Sequence, residues 1–185
     1  MTPFLHLNLN HPVLKDTFVL PPAEEPEKGY WKYYQKIPVK DTMHPEILKK
    51  LLQLGLMYQP SCLLFYAPPG AQLKLHKDAG GPDAWAINWA LTPNRAGMIW
   101  YTTDAEGEKK VAYGSTTPTP FTSYQDHEVT EVCREEIRYP TIVKIGQPHG
   151  GYNHSDQGAW LLSLRFMSPV TWKQATLLFK PLIEI

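Results

Sequence analysis

A mainly β fold, a double-stranded β-helix or jelly roll with supporting α-helices, is predicted by three observations. Short apolar or alternating runs recur along the chain, each closed by proline or glycine. Eighteen prolines in 185 residues, about twice the usual ~5% share, favour many short elements joined by turns. The strongest helical pattern precedes the β-rich stretch instead of alternating with its strands, which argues against a parallel α/β sheet. The length fits a single domain over residues 1–185, with its core at about 61–167.

The elements follow in order. An N-terminal arm carries a strand around Thr17 to Leu20, and the acidic, proline-rich segment from Pro21 to Lys28 reads as a surface loop. The aromatic patch Tyr30-Trp31-Lys32-Tyr33-Tyr34 reads as a strand lying on the core. Pro45 suits a first helical position, Glu46 suits the positive N-terminal end and Gly55 falls near the close, so Pro45 to Leu54 is a helix. Ile47, Leu48, Leu51, Leu52 and Leu54 form its apolar stripe, which should cover one face of a sheet. A weaker helical signal runs from Thr171 to Phe179.

Strands are expected at Ser61 to Tyr66, Ala71 to Asp78, Trp85 to Leu91, Met98 to Thr102, Val129 to Cys133, Thr141 to Ile145 and Trp160 to Phe166. Asp104 to Lys110 reads as a charged, solvated turn, and Gly114 to Tyr124 as a long loop of the kind that forms lids.

Composition removes several function classes. Lys+Arg and Asp+Glu balance at 18 each, so no global field attracts nucleic acid or an anionic membrane. Cys62 and Cys133 are the only cysteines, too few for a disulfide framework. No run of apolar residues is long enough to span a bilayer, and Met1 to Asn10 lacks the pattern of a signal peptide. These features together predict a cytoplasmic location.

The chemistry concentrates at His76-Lys77-Asp78. A strand sends alternate side chains to opposite faces, so His76 and Asp78 project side by side. An imidazole and a carboxylate on one face are half of a metal site. A histidine from a distant strand completes the two-His-one-carboxylate triad, which leaves positions open on Fe(II) for substrate and oxygen. Two histidines compete for the third place. His149 follows a proline and precedes small residues, whereas His154 sits in Asn153-His154-Ser155-Asp156-Gln157-Gly158, a turn composition, so His149 is favoured. Asn88, flanked on its face by Ala86 and Ala90, is expected to point into a cavity and to contact a ligand.

From Cys62 to Phe166 the chain resembles the Fe(II)/2-oxoglutarate-dependent oxygenases, particularly their small bacterial and phage-like members. The resemblance rests on the turn Pro68-Pro69-Gly70 leading into a strand that ends in His-x-Asp, then on Ala86 to Leu91 and Ile99 to Tyr101. Farther on, Tyr139 to Ile145, Gln147 to Asn153 and Trp160 to Phe166 follow in the same order. It implies Fe(II) at His76, Asp78 and His149, with O2 and 2-oxoglutarate as co-substrates and an organic small molecule or peptide as substrate.

One departure stands out. The family carries a basic residue about ten positions after the distal histidine, on the last core strand, where it pairs with the far carboxylate of 2-oxoglutarate. Here that position is Ala159. Arg165 continues the face of Ala159, Leu161 and Ser163, and it reads either as a substitute clamp or as a salt-bridged arginine at the barrel rim. Lys144, on the preceding strand, and Lys74, two before His76 and on its face, are the other candidate cations. Two alternatives from other classes remain open: a cupin-like metal enzyme that does not use 2-oxoglutarate, and a non-catalytic jelly-roll binding module.

Overall fold

The structure, a computed structural model, describes residues 2–9, 11–22, 33–92, 95–112 and 119–182. In chain order it contains β1 (Phe4–His6), β2 (Tyr33–Pro38), α1 (Val39–Thr42), α2 (Pro45–Gln53), β3 (Ser61–Ala67) and β4 (Gln72–Asp78). Then come β5 (Trp85–Ala90), β6 (Ala96–Thr102), β7 (Glu108–Ala112), β8 (Thr119–Ser123) and β9 (Thr130–Glu136). The last elements are β10 (Thr141–Lys144), β11 (His149–Asn153), β12 (Ala159–Arg165) and α3 (Trp172–Leu178).

The strands form two six-stranded sheets, ordered β1-β10-β5-β12-β3-β2 and β7-β8-β4-β11-β6-β9. Every registered strand pair is antiparallel. Consecutive strands switch repeatedly between the sheets, which is the jelly-roll arrangement.

Strand alternation in the first sheet builds two cores. Trp85, Ile87 and Trp89 of β5 and Trp160, Leu162 and Leu164 of β12 pack with Ile47 and Leu51 of α2 and with Trp172 and Ala175 of α3. Their neighbours Ala86, Ala159 and Leu161 instead join Met98 and Trp100 of the second sheet, inside the barrel. Each buried large apolar side chain contributes roughly 1.5–3 kcal/mol, so the helical face supplies much of the stability. The interior face of the first sheet is lined partly by alanines.

Local signals explain the helices. The His44 side chain accepts a hydrogen bond from the Glu46 amide at 3.3 Å, and Pro45 occupies the first turn. In α3, Thr171 and Gln174 make a reciprocal capping box. Leu52, expected in the apolar stripe of α2, is instead 52% exposed, because the buried stripe is centred on Ile47 and Leu51.

Several expectations need correction. Thr17 to Leu20 forms no strand; the N-terminal strand is β1, which pairs with β10 at the sheet edge. The Asp104 to Lys110 segment is not wholly a turn, since its second half enters β7. Likewise Thr119–Ser123, expected within a loop, is β8, bonded to β7 on one side and to β4 on the other. Most of the Pro21 to Lys28 loop, Tyr30 to Lys32 of the aromatic patch and Gly114 to Pro118 of the long loop lie outside the described residues. Among the described residues no helix is long and apolar enough to cross a membrane.

Candidate metal centre

His76 and Asp78 close β4, and His149 opens β11, the neighbouring strand. His149 is registered directly opposite His76, and on its other side it faces Trp100 of β6. A register irregularity follows between His149 and Gly151, the kind of local kink that re-aims side chains beside functional sites. Behind His76, Asp78 and His149 the chain crosses itself closely. The Asp78 amide donates to the Ile145 carbonyl at 3.1 Å, and Gly146 passes against the loop that follows β4. A Cβ at Gly146 would stand 2.0 Å from the Gly81 carbonyl oxygen, so only glycine fits that crossing.

The two imidazoles are held the same way. His76 Nδ1 lies 2.8 Å from the Lys74 carbonyl oxygen, and His149 Nδ1 lies 2.9 Å from that of Gln147. A carbonyl only accepts, so each Nδ1 carries a proton and donates, which leaves Nε2 of each ring as the atom offered to the site. His76 Nε2 sits 3.5 Å from Asp78 Oδ1. One ligand atom from each of His76, Asp78 and His149 lies within 4.8 Å of the others. Two imidazole nitrogens and one carboxylate oxygen converging on one point are a donor set that suits a divalent transition metal.

Electrostatics agree with that donor set. Burial and the neighbouring His76 push the His149 imidazole down to about 4, which keeps it neutral near neutral pH. Burial also pushes the Asp78 carboxyl upward, but Arg165, a hydrogen bond from His76 and the charge near His149 outweigh it. The net result lies well below the usual carboxylate range. Arg165 Nη2 stands 2.7 Å from Asp78 Oδ2. The pair is ionic and poorly directed, for Oδ2 and Arg165 Nε are both buried without a hydrogen bond among the described residues.

The remaining candidates divide by face. Asn88 lies opposite Ser163 on the interior side of the first sheet; its Nδ2 donates to Met98 Sδ at 3.3 Å, and its Oδ1 is buried without a partner. Ala159 is fully buried in the interior core. Lys144 alternates with interior Val143 and shares the parity of Ile142, which packs on the helical side. Lys74 is exposed, and the irregularity beside it breaks the alternation that would align it with His76. His154 is exposed and stacks on Tyr152 at 4.3 Å, in a surface cleft of about 540 Å³ shared with Arg95, Arg134 and Arg138.

One site residue was missed. Phe121 of β8 is registered opposite Asp78, and its ring meets that of His76 edge-on at 6.0 Å. The alternation of Thr119, Phe121 and Ser123 was the available signal, and the flanking prolines and threonines hid it.

No family model matches the chain, and no curated protein matches it. Among solved structures, oxalate decarboxylase from Bacillus subtilis at pH 4.6 is 14% identical, covering 63% of this chain and 23% of its own, with a TM-score of 0.34. A cupin domain from Bordetella pertussis Tohama I is 11% identical over 58% of this chain and 81% of its own, at TM-score 0.31. The non-heme monooxygenase ThoJ, in a nickel complex, is 21% identical over 68% of this chain and 51% of its own, at TM-score 0.38. These are likenesses of fold alone. The chain spans about a quarter of the decarboxylase's length and about half of ThoJ's.

Proposed function

We propose that this chain is a non-haem Fe(II)-dependent oxygenase acting on a small organic substrate, with His76, Asp78 and His149 holding the metal. The observation that carries this reading is the convergence of the three donors while both Nδ1 protons are committed to backbone carbonyls. When bound, such a metal supplies O2 activation at the positions that a two-His-one-carboxylate set leaves open. The protein's own residues do the rest. Lys74 and Gln147 fix ring orientation through their carbonyls, Phe121 and Trp100 shield the flanks, and Asn88 and Ser163 offer polar contacts on the facing sheet.

In this reading 2-oxoglutarate is the electron source. A second reading, a metal enzyme that does not use it, is favoured by one specific observation: Ala159 stands at the family's clamp position and Arg165 is engaged with Asp78. The test is anaerobic titration of Fe(II)-loaded protein with 2-oxoglutarate, followed by an assay for succinate under O2. A metal-to-ligand absorption band and succinate release support the first reading. Stoichiometric iron uptake with neither signal selects the second, and absence of iron uptake removes both.

A further inference from the structure

Arg165 ends β12 on the interior face of the first sheet, and its guanidinium reaches Asp78, which belongs to the opposite sheet. The contact divides the carboxylate. Oδ2 faces the guanidinium at 2.7 Å, while Oδ1 faces His76 Nε2 at 3.5 Å. No other salt bridge to Arg165 occurs among the described residues, so its one ionic partner is a proposed metal ligand.

We propose that Arg165 is a positioning residue of the metal centre: it holds Asp78 as a one-oxygen ligand and sets the affinity for a divalent ion below what the three ligands alone would give. The proposal rests on the reading of His76, Asp78 and His149 as metal ligands. A free carboxylate binds a metal through one oxygen or through two. With Oδ2 held by a guanidinium only Oδ1 is offered, which keeps a coordination position open for a ligand. The cost is a positive charge beside a divalent cation, in a poorly hydrated interior where charges interact more strongly than in water. Neutralising Arg165 removes that repulsion. It also frees Asp78 to reorient, but this loosens only one short side chain. The charge effect is the larger, so a neutral residue at 165 tightens metal binding.

The test compares wild type, Arg165→Gln and Arg165→Lys after chelator treatment, with Mn(II) affinity read by calorimetry and Co(II) coordination by visible absorption. Arg165→Gln is expected to bind Mn(II) about tenfold more tightly, with a weaker Co(II) absorption as the second carboxylate oxygen joins. Arg165→Lys, which keeps the charge, is expected to stay within about threefold of wild type. Circular dichroism checks that each variant folds, and Arg165→Met, which keeps much of the apolar stem, serves as a second neutral variant. Unchanged or weaker Mn(II) binding in the neutral variants overturns the proposal. So does a loss of 2-oxoglutarate binding at unaltered Mn(II) affinity, which would make Arg165 a co-substrate clamp. Failure of the wild type to take up Mn(II) is a different result: it removes the metal reading itself, and the proposal with it.

Discussion

His76 and His149 stand directly opposite one another on β4 and β11, with ring centroids 4.4 Å apart and both Nδ1 atoms tied to carbonyls two residues back. Cross-strand neighbours on one face are close by construction, so this register, more than any loop, brings the two imidazoles to one point.

The histidines therefore separate cleanly by mutation. His149→Ala is expected to abolish stoichiometric Mn(II) or Fe(II) uptake, as are His76→Ala and Asp78→Ala, while His154→Ala binds like wild type. Metal at 100 times its dissociation constant should stabilise the wild type by about 2.7 kcal/mol and leave the three ligand variants unshifted. Thermal melts with and without metal measure this, and loss of the shift in His154→Ala alone would reassign the third ligand.

Acid should weaken the chelator-treated protein early. The folded His149 lies at about 4 against 6.5 for an ordinary histidine. Below pH 6.5 the unfolded chain takes up a proton that the folded one refuses, so stability falls as pH drops from 6.5 toward 4. The loss approaches roughly 3 kcal/mol. Asp78, held low in the folded state, adds a further loss below the ordinary carboxylate range. Urea titrations at successive pH values report the slope, and His149→Gln should flatten it between pH 6.5 and 4.

Gly146→Ala should be severe for its size. A Cβ there meets backbone atoms of Gly81, Pro82 and Ala84 at 2.9 Å or less, none of which can swing away like a side-chain end. A loss of about 3 kcal/mol is expected, together with weaker metal binding, because the crossing strap anchors both Asp78 and the approach to His149. Gly70→Ala is the control: it has a positive φ of 67° but nothing within 4 Å, so it should cost stability through strain while leaving metal affinity alone.

Asn153 is the hub of the turn after β11. Its Nδ2 donates toward the carbonyls of Ala67, Pro68 and Gln157, and its Oδ1 accepts from the Ser155 amide and hydroxyl. Asn153→Ala strands the carbonyls of buried Ala67 and Pro68, and a loss of about 2–4 kcal/mol in denaturant unfolding is expected. Asn153→Asp should fare little better, since it loses the donors.

The fold and the clustering of His76, Asp78 and His149 were legible for different reasons. The strands from Ser61 to Phe166 announced themselves through apolar runs and turns, and α2 through Pro45 and its stripe. The hairpin of β7 and β8 did not, because Lys109, Lys110, Pro120 and the threonines carry little strand signal, and pairing with β4 makes them a sheet. Strand parity alone put His76 beside Asp78. It also put Arg165 on the interior face, but the identity of its partner depends on which strand lies across the barrel, and one sequence does not print that. Parity misjudged Lys74, because an irregular register breaks the alternation.

The rings of His76 and His149 are both oriented by main-chain oxygens, and this has a genetic consequence. The side chains of Lys74 and Gln147 contribute nothing to the bonds that aim the imidazoles, so substitutions there leave ring orientation intact as long as the strands keep their path. The orienting partners of this centre are in effect silent to amino-acid exchange. Relatives could diverge widely at both positions while keeping the same donor geometry, and damage would arise instead from changes that bend the backbone, such as a proline at residue 74 or 147.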